Sequence, residues 1–269
     1  MDSSIEKKIQ KIREDLQGKK VLVAFSGGVD SSVATWLAKE FCAKVLAVTV
    51  ISKTNPPGEI EEAKCIAKEL GVDWRTIKIN ELNNPNFQTN PYNRCYYCKK
   101  ELMEALRQLA EAERLEFIID GTNADDLKDF RPGTLALQEL SIKSPLAEAG
   151  ITKKEIRMIA KEYNLSVYDK PSMACLSSRI PYGEPITEKK LEMIFKAEMI
   201  IRKLIGVKVV RLRYHGCIAR IEVHPDERVK FFDQTVLDQV VNELKKLGFV
   251  YITLDLQGYR SGAMNELFQ

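Results

Sequence analysis

Long apolar runs and a strong charge of either sign are both absent from this sequence. No stretch of the 269 residues approaches the roughly twenty consecutive apolar residues that a transmembrane helix needs. Residues 1–20 are charged and amphipathic, without the apolar segment of a signal peptide. The formal net charge of +3 is too small to indicate nucleic-acid binding by itself. We therefore expect a cytoplasmic globular protein that has neither a membrane nor a nucleic acid as its partner.

Histidine is also scarce, which limits the metal sites that the chain can build. The two histidines, His215 and His224, both lie in the C-terminal third of the chain. The six cysteines come without an export signal. In a reducing compartment we expect them to be core residues, metal ligands or reactive thiols rather than disulfides.

A small-residue loop follows the first apolar run, Val21–Ala24, and residues 25–32 of it read Phe-Ser-Gly-Gly-Val-Asp-Ser-Ser. The paired glycines allow a sharp turn and a close approach of the backbone to a ligand. The loop amides and the N-terminus of the following helix form a phosphate site, and the serine hydroxyls add donors. Asp30 is suited to cap the helix or to hold magnesium. No lysine follows the glycines, so this is not the GxxxxGK[ST] loop.

A second polar turn, residues 120–126, reads Asp-Gly-Thr-Asn-Ala-Asp-Asp and follows the fourth predicted strand. Because carboxyl ends of parallel strands share one edge of a sheet, we expect this turn to face the first loop. Asp125 is a candidate magnesium ligand, since that ion prefers oxygen donors. The alternative is a capped turn without a ligand, because Asn and Asp are favoured in turns anyway.

Alternation of apolar strands with amphipathic helices predicts an α/β fold with a doubly wound parallel sheet. The predicted strands cover residues 20–25, 44–51, 74–79 and 116–120, and the predicted helices cover residues 5–16, 32–41, 59–70, 97–112 and 152–163. Residues 83–93 are rich in Asn and Pro and are predicted as a loop.

The pattern changes after a proline-rich stretch, residues 169–185. Beyond it we predict helices over residues 188–204 and 231–247 and strands over residues 208–213, 218–223 and 251–256. This composition predicts a smaller α+β domain with helices on an antiparallel sheet. We place the boundary near residue 181, which gives domains 1–180 and 181–269.

Three cysteines lie in settings that favour chemistry. Cys95 and Cys98 form a CxxC that opens a helix beside cations, where thiol pKa values fall. Cys175 stands in an irregular segment among small residues. From the residues alone, these three could hold an iron–sulfur cluster with one open iron, or bind zinc without a fourth ligand nearby, or include a CxxC redox pair. Cys42 and Cys65 are predicted core residues, and Cys217 has no assigned role.

The loop at residues 25–32 resembles the SGGxDS pyrophosphate loop of the ATP pyrophosphatases, and residues 144–146, Ser-Pro-Leu, resemble a segment of the same family. The resemblance implies a Rossmann-like fold and an enzyme that attacks the α-phosphate of ATP and releases pyrophosphate. The ATP-binding residues that we expect are Ala24, Phe25, Ser26, Gly27, Gly28, Asp30, Ser31, Ser32, Gly121, Thr122 and Asn123.

Four stretches together resemble the LarE family, the ATP-dependent sulfur-insertion proteins of nickel-pincer nucleotide synthesis. They are residues 25–32, residues 121–126, residues 174–183 (ACLSSRIPYG) and residues 211–215 (RLRYH). The resemblance implies adenylation of a carboxylate on a pyridinium mononucleotide, followed by displacement of AMP by sulfur. In one branch of the family the cysteine that matches Cys175 gives up its own sulfur. In the other branch that cysteine and a CxxC bind a [4Fe-4S] cluster, and this sequence resembles the second branch.

The same resemblance implies catalytic roles for Asp30, Cys175, Ser178 and Arg179. It also implies a substrate-phosphate site at Arg211 and Arg213, which alternate along one predicted strand. The alternative for these two arginines is a solvated strand face. Glu198 and Asp226 are weaker candidates. The expected cofactors are a [4Fe-4S] cluster, ATP and Mg²⁺, and the expected partners are a small nucleotide, a sulfur donor and further copies of the chain.

Three other functions use the same motifs. A tRNA thiolase would combine the same adenylation with an RNA substrate, but the lysine pairs of this chain are typical of solvated helix faces. A synthetase subunit fed with ammonia would need no metal. A protein that senses a nucleotide without catalysis would bind ATP and release no pyrophosphate.

Overall fold

The computed structural model describes residues 2–128, 132–171, 174–260 and 262–264. The chain forms two compact units. The first comprises Met1–Asn84 and Asn93–Met173, and the second comprises Pro85–Tyr92 and Ala174–Gln269. The second unit therefore begins before residue 181, and it includes a short segment that the sequence had placed in the first domain.

Helices and strands alternate along the described chain as far as β3, and the later elements include runs of consecutive helices. The helices are α1 (Ser3–Leu16), α2 (Val29–Phe41), α3 (Glu59–Leu70), α4 (Pro85–Gln88), α5 (Arg94–Ala112), α6 (Gly133–Glu139), α7 (Pro145–Glu148), α8 (Lys153–Glu162), α9 (Glu188–Ile205) and α10 (Gln234–Lys246). The strands are β1 (Lys20–Ala24), β2 (Lys44–Ile51), β3 (Asp73–Lys78), β4 (Phe117–Ile119), β5 (Val210–His215), β6 (Ile218–Val223) and β7 (Tyr251–Leu254).

The first unit is built on a parallel sheet with the strand order β3-β2-β1-β4. Successive residues of β1 point to opposite faces. Val21 and Val23 join a core with α1, α2, α3 and α8, whereas Leu22 joins a second core with α5 and α6. The sheet is therefore covered by helices on both faces, which confirms the predicted doubly wound α/β fold.

Helix boundaries in this unit follow local chemistry. Helix α3 ends at Gly71, which adopts a left-handed conformation with φ of 62° as its C-cap. Helix α8 begins with the predicted capping box of Thr152 and Glu155. Helix α2 begins at Val29, earlier than predicted, because the extended Gly28 serves as its N-cap. Asp30 therefore lies in the first turn of the helix and does not cap it.

The second unit carries a three-stranded sheet with the order β5-β6-β7. Strands β5 and β6 form the predicted antiparallel hairpin, but β6 and β7 are parallel. The prediction of a wholly antiparallel sheet was wrong because α10 crosses over between β6 and β7, and such a crossover returns the chain in the same direction. Helix α9 packs on β5 and α10 packs on α9.

Backbone hydrogen bonds and the buried side chain of Asn90 tie residues 85–92 into the second unit. Asn90 is fully buried, and its side-chain amide donates hydrogen bonds to the carbonyls of Ile180, Pro181 and Glu184 at 3.3, 2.7 and 2.9 Å. The predicted loop at residues 83–93 therefore contains the short helix α4 and an anchor.

No helix among the described residues is long and apolar enough to cross a membrane.

Candidate functional site

The loop between β1 and α2 is held in shape by its own serines. Ser31 Oγ accepts a hydrogen bond from the Ser26 amide at 3.2 Å, and the two serine hydroxyls lie 3.0 Å apart. The Gly28 amide donates to Ser26 Oγ at 3.3 Å, and Ser31 Oγ donates to the Gly28 carbonyl at 3.1 Å. Gly27 has a φ of 69°, which favours glycine. The loop is thus preorganised at the N-terminus of α2, where an anion is stabilised.

The three predicted serine donors differ in exposure. Ser26 is exposed, whereas Ser31 and Ser32 are buried. Ser32 Oγ has no hydrogen-bond partner among the described residues. Ser26 is therefore the serine that solvent and a ligand reach most directly.

Asp30 is the centre of a charged group that joins three elements. Asn123 Nδ2, from the turn after β4, donates to Asp30 Oδ1 at 3.2 Å. The ammonium group of Lys153, the first residue of α8, forms an ion pair with Asp30 Oδ2. The Lys153 backbone amide donates to Asp125 Oδ2 at 2.9 Å. Both carboxylates that the sequence offered for magnesium are therefore linked through one lysine.

The turn after β4 approaches the first loop closely, as the sequence predicted. A Cβ atom on Gly121 would lie 2.6 Å from the Ser31 backbone nitrogen and 2.9 Å from the Asp30 carbonyl carbon. Asp120, which is buried, fixes this turn by accepting hydrogen bonds from the Thr122 amide at 3.1 Å and from Ser144 Oγ at 2.7 Å. The glycine is required here because the backbone leaves no space for a side chain.

A second lysine contacts the loop from residues that follow α8. Lys170 Nζ donates to the Gly27 carbonyl at 3.0 Å and lies 2.9 Å from Glu62 Oε2. The Lys170 side chain is largely buried, whereas Glu62 is more than half exposed. The loop has no lysine in its own sequence, yet Lys153 and Lys170 supply two ammonium groups from elsewhere in the same unit.

The CxxC lies at the start of α5, with Cys95 in its first turn and Cys98 in its second. Cys95 is exposed and Cys98 is half-buried. Cys98 Sγ lies 3.9 Å from Oε1 of Glu81, a buried residue with 4% exposure. Thr54 Oγ1 donates to the same oxygen at 3.0 Å, and Ser52 Oγ also donates to it. No group of three His, Cys, Asp or Glu side chains among the described residues is arranged to hold a metal ion.

Cys175, in the second unit, lies beside two polar side chains. Its Sγ is 2.8 Å from the hydroxyl of the buried Ser177. Arg179 NH1 donates to the carbonyls of Ala174 and Cys175 at 2.6 and 3.0 Å and to Ser178 Oγ at 3.1 Å. The sulfur is exposed while the backbone that carries it is held by a buried arginine.

The charge of Arg179 is balanced inside the unit. Its Nε donates to Glu198 Oε1 at 2.9 Å, and its NH2 donates to Oε2 at 3.3 Å. Glu198 also accepts a hydrogen bond from the Leu212 amide at 3.0 Å. Glu198, one of the weaker candidates, therefore supports Arg179, whereas the side chain of the other, Asp226, is 91% exposed beside His224.

Two further arginines are buried on β5. Arg211 and Arg213 are 4% and 5% exposed, so the alternative of a solvated strand face was wrong. Arg213 donates to Glu222 Oε2 at 2.7 Å and to the Ser178 carbonyl at 3.2 Å, but its Nε has no partner among the described residues. Burial, together with the nearby Arg179, lowers the pKa of Arg211. An anionic ligand would stabilise the positive charges of Arg211 and Arg213.

Cys42 and Cys65, the two predicted core cysteines, differ in their burial. Cys42 is half-buried against the first core, and burial, with the nearby Glu116, raises its pKa to about 11. Cys65 is exposed, so the prediction of a core residue was wrong for it. Its side chain falls on the outer face of α3, because the buried positions of that helix are Ala63, Ile66, Ala67 and Leu70.

Sequence reasoning gave no role to Lys153, Lys170 or Glu81. Each is one charged residue in a surface-like pattern, and only the packing of distant segments brings it to a site. The one available signal was the position of Lys153 directly after a capping residue, where a side chain projects from the helix N-terminus.

Comparisons with known proteins found one matching family model and several similar proteins. The family model described as NAD synthase matches residues 2–111. An uncharacterised protein of Synechocystis sp. is 41% identical over 98% of each chain. The pyridinium-3,5-bisthiocarboxylic acid mononucleotide synthase of Lactiplantibacillus plantarum is 36% identical over 94% of this chain and 91% of that protein. One subunit of the glutamine-hydrolysing GMP synthase of Methanocaldococcus jannaschii is 30% identical over 74% of this chain and 68% of that protein.

Proposed function

Because the chain belongs to the LarE family, we propose that it adenylates a carboxylate of a pyridinium mononucleotide with ATP and then replaces the AMP by sulfur. The observation that carries this function is the similarity to the L. plantarum synthase along 94% of the chain, together with a preorganised phosphate loop. The reaction makes the enzyme an ATP-dependent sulfurtransferase.

The loop and its two lysines account for the first step. A substrate carboxylate oxygen bonds to the α-phosphorus, and the bond from that phosphorus to the bridging oxygen breaks as pyrophosphate leaves. The amides at the start of α2 and the ammonium groups of Lys153 and Lys170 oppose the charge that develops on the phosphates. Asn123 keeps the Asp30 carboxylate in position.

Asp30 and Asp125 fit a magnesium ion because they offer hard oxygen donors at one place. The Asp30 carboxylate already attracts one cation, the Lys153 ammonium group. A bound Mg²⁺ would neutralise charge on the pyrophosphate as it leaves. Asp30 would hold the ion, and Lys153 would then be released toward the phosphates.

For the second step we propose that Cys95, Cys98 and Cys175 hold a [4Fe-4S] cluster. The donor set is chemically suitable, since thiolates are the usual ligands of such clusters. Near Cys98 lies the buried Glu81, whose Oε1 is 3.9 Å from Cys98 Sγ and whose Oε2 has no partner among the described residues. The cluster would supply the sulfur that attacks the acyl carbon and displaces AMP. Arg179 acts as a positioning residue, because it holds the carbonyls on either side of the Cys175 Cα.

Arg211 and Arg213 are proposed to bind the substrate phosphate. Both are buried, and Arg213 Nε has no partner among the described residues, so a phosphate oxygen would complete its hydrogen bonds. Ser178 contacts both the proposed phosphate site and the arginine that positions Cys175. Its carbonyl accepts a hydrogen bond from Arg213, and its hydroxyl accepts one from Arg179.

The proposed setting is the cytoplasm, and sulfide or another sulfur carrier is the proposed sulfur donor. Reduced thiols are expected in that compartment, and all six cysteines of the structure stand outside disulfides. We also propose that copies of the chain associate, because the edge strand β7 exposes Tyr251 at 60%. Light scattering of the purified protein would give the oligomeric state.

The test is a pair of assays on protein purified without oxygen. Wild-type enzyme should release pyrophosphate only when ATP and a pyridinium mononucleotide carboxylate are both present, and a thiocarboxylate should form when sulfide is added. Asp30→Ala should abolish pyrophosphate release. Cys175→Ala should keep pyrophosphate release and lose the thiocarboxylate. Release at the wild-type rate in Asp30→Ala, or an unchanged thiocarboxylate yield in Cys175→Ala, would contradict the assigned roles.

A second candidate function is ammonia-dependent synthesis. The similarity to a GMP synthase component favours it, because that similarity covers 74% of this chain. Amidation of an adenylated substrate needs no thiol. Cys95→Ala should therefore keep full activity with ammonia if this function is the correct one, and lose sulfur transfer if the first is correct.

A further inference from the structure

One arginine of α8 holds the chain segment that follows this helix. Arg157 NH1 donates to the Tyr168 carbonyl at 2.6 Å, and its NH2 donates to the Lys170 carbonyl at 2.9 Å. A guanidinium group suits this bridge because its terminal nitrogens donate in one plane and at a fixed spacing. The bridge ties residues 168–170 to α8, and with them the main chain from which the Lys170 side chain extends.

The Lys170 side chain reaches the phosphate loop from this segment. Its ammonium group donates to the Gly27 carbonyl at 3.0 Å and lies 2.9 Å from Glu62 Oε2. A lysine carries its charge on a flexible aliphatic stem, so the side chain alone does not fix the position of the charge. A small displacement of such a group weakens its effect on a ligand strongly. The position of the Lys170 main chain therefore matters for the loop.

Helix α8 serves the loop from two positions on one side. Lys153, in its first turn, forms the ion pair with Asp30 directly. Arg157 follows four residues later, and residues at that spacing are neighbours on a helix surface. The helix packs against α2, which begins directly after the loop. One side of α8 thus carries both the cation that contacts Asp30 and the arginine that holds the Lys170 segment.

We propose that Arg157 is a positioning residue for the first step, because it holds Lys170 where its ammonium group meets the phosphates of ATP. This inference rests on the proposed function, in which Lys170 opposes the charge that develops as pyrophosphate leaves. Arg157 acts through the main chain of residues 168–170 and not through the ligand. Without it Lys170 keeps its charge but turns away from the loop, which weakens the binding of ATP.

The experiment is a double-mutant cycle on the full chain with Arg157→Met, Lys170→Met and the double variant. Calorimetric titration with ATP and Mg²⁺ gives the affinity, and pyrophosphate release gives kcat and the KM for ATP. Lys170→Met should weaken ATP binding about tenfold, because the phosphates lose one cation. Arg157→Met should weaken it about fivefold through misplacement of that cation. The double variant should match Lys170→Met within about twofold, because Arg157 then has no charge to position.

A purely structural role of Arg157 predicts a different pattern. Loss of folded protein lowers the apparent kcat and leaves the KM for ATP unchanged. The matched control is Lys161→Met, which removes an exposed cation from the same helix and should leave both the affinity and the KM unchanged. Arg157→Lys is the second variant should Arg157→Met unfold. It keeps the charge but does not bridge two carbonyls, so the KM for ATP should still rise.

The outcomes separate this inference from the proposed function. Wild type that binds no ATP would overturn both. Wild type that binds ATP but releases no pyrophosphate with the pyridinium substrate would overturn the proposed function alone, and the affinities would still test Arg157. Additive losses in the cycle, or wild-type ATP affinity in the folded Arg157 variants, would overturn the positioning role. A loss in Arg157→Met that disappears when Lys170 is also replaced would support it.

Discussion

Replacing Arg179 by alanine should separate what this residue does for stability from what it does for Cys175. The guanidinium group donates to both oxygens of Glu198 and to the carbonyls of Ala174 and Cys175. The side chains of Arg179 and Glu198 are only 2% and 5% exposed. Arg179→Ala therefore leaves a buried carboxylate without its cation.

The expected cost is about 3–5 kcal/mol in the free energy of unfolding, which is the usual effect of removing one partner from a buried ion pair. Helix α9 also carries an exposed pair, Lys196 and Glu192, whose side chains are 59% and 58% exposed. Lys196→Ala should cost less than about 1 kcal/mol, because solvent screens such pairs. The difference between the two variants is the quantity to test.

Urea unfolding followed by far-ultraviolet circular dichroism measures this difference in the free energy of unfolding. Tryptophan fluorescence would not report on this site, because Trp36 and Trp74 both lie in the first unit. The double variant Arg179→Met with Glu198→Gln should recover much of the stability, since it removes the unpaired charge and keeps an acceptor for the Leu212 amide.

The same double variant should still transfer sulfur poorly, because the carbonyls of Ala174 and Cys175 have lost their donor. Its release of pyrophosphate should persist. A loss of less than about 1 kcal/mol in Arg179→Ala would refute the argument from burial. Normal sulfur transfer in the stable double variant would refute the positioning role.

Three further predictions concern the first unit. Lys153→Ala should slow pyrophosphate release about tenfold to a hundredfold, because Asp30 loses its cation and the phosphates lose a positive charge. Lys154→Ala, at an exposed position, should not slow it. Equal rates in the two variants would contradict the role of Lys153 in the first step. Gly121→Ala should destabilise the protein by about 1–3 kcal/mol in urea, because its Cβ would meet the Ser31 backbone. Gly18→Ala, with a φ of 73° and open space, should cost only about 1 kcal/mol, and a larger effect there would contradict the steric argument. Burial raises the pKa of Cys42 to about 11, so this thiol should resist iodoacetamide at about pH 8 and react only as the pH approaches its pKa. Peptide mapping that finds Cys42 modified before the other cysteines would contradict its burial.

The phosphate loop was predictable because its chemistry is local. Residues 25–32 specify a turn, its donors and the start of a helix within eight neighbouring positions, so no distant segment is needed to recognise them. The capping box at Thr152 and the glycine end of α3 are predictable for the same reason. Where the start of α2 differed, the cause was also local, since Gly28 takes the N-cap position.

The parallel direction of β7 was not predictable in this way. The residue pattern of β7 is compatible with either a parallel or an antiparallel direction. Helix α10 sets the parallel direction because it crosses over from the end of β6. The burial of Arg211 and Arg213 likewise depends on the elements packed over β5, because alternation along a strand shows only that two side chains share a face.

The sequence by itself determined the α/β class, the phosphate loop, the CxxC and the family, because these depend on periodicity and on short runs of residues. Only the tertiary structure decided which distant charges serve those motifs. Lys153 reaches Asp30 across 123 residues of chain, Lys170 reaches the Gly27 carbonyl across 143, and Glu81 meets Cys98 from another element. A single lysine or glutamate carries no local signal of its partner, since the packing of the sheet and its helices sets that distance.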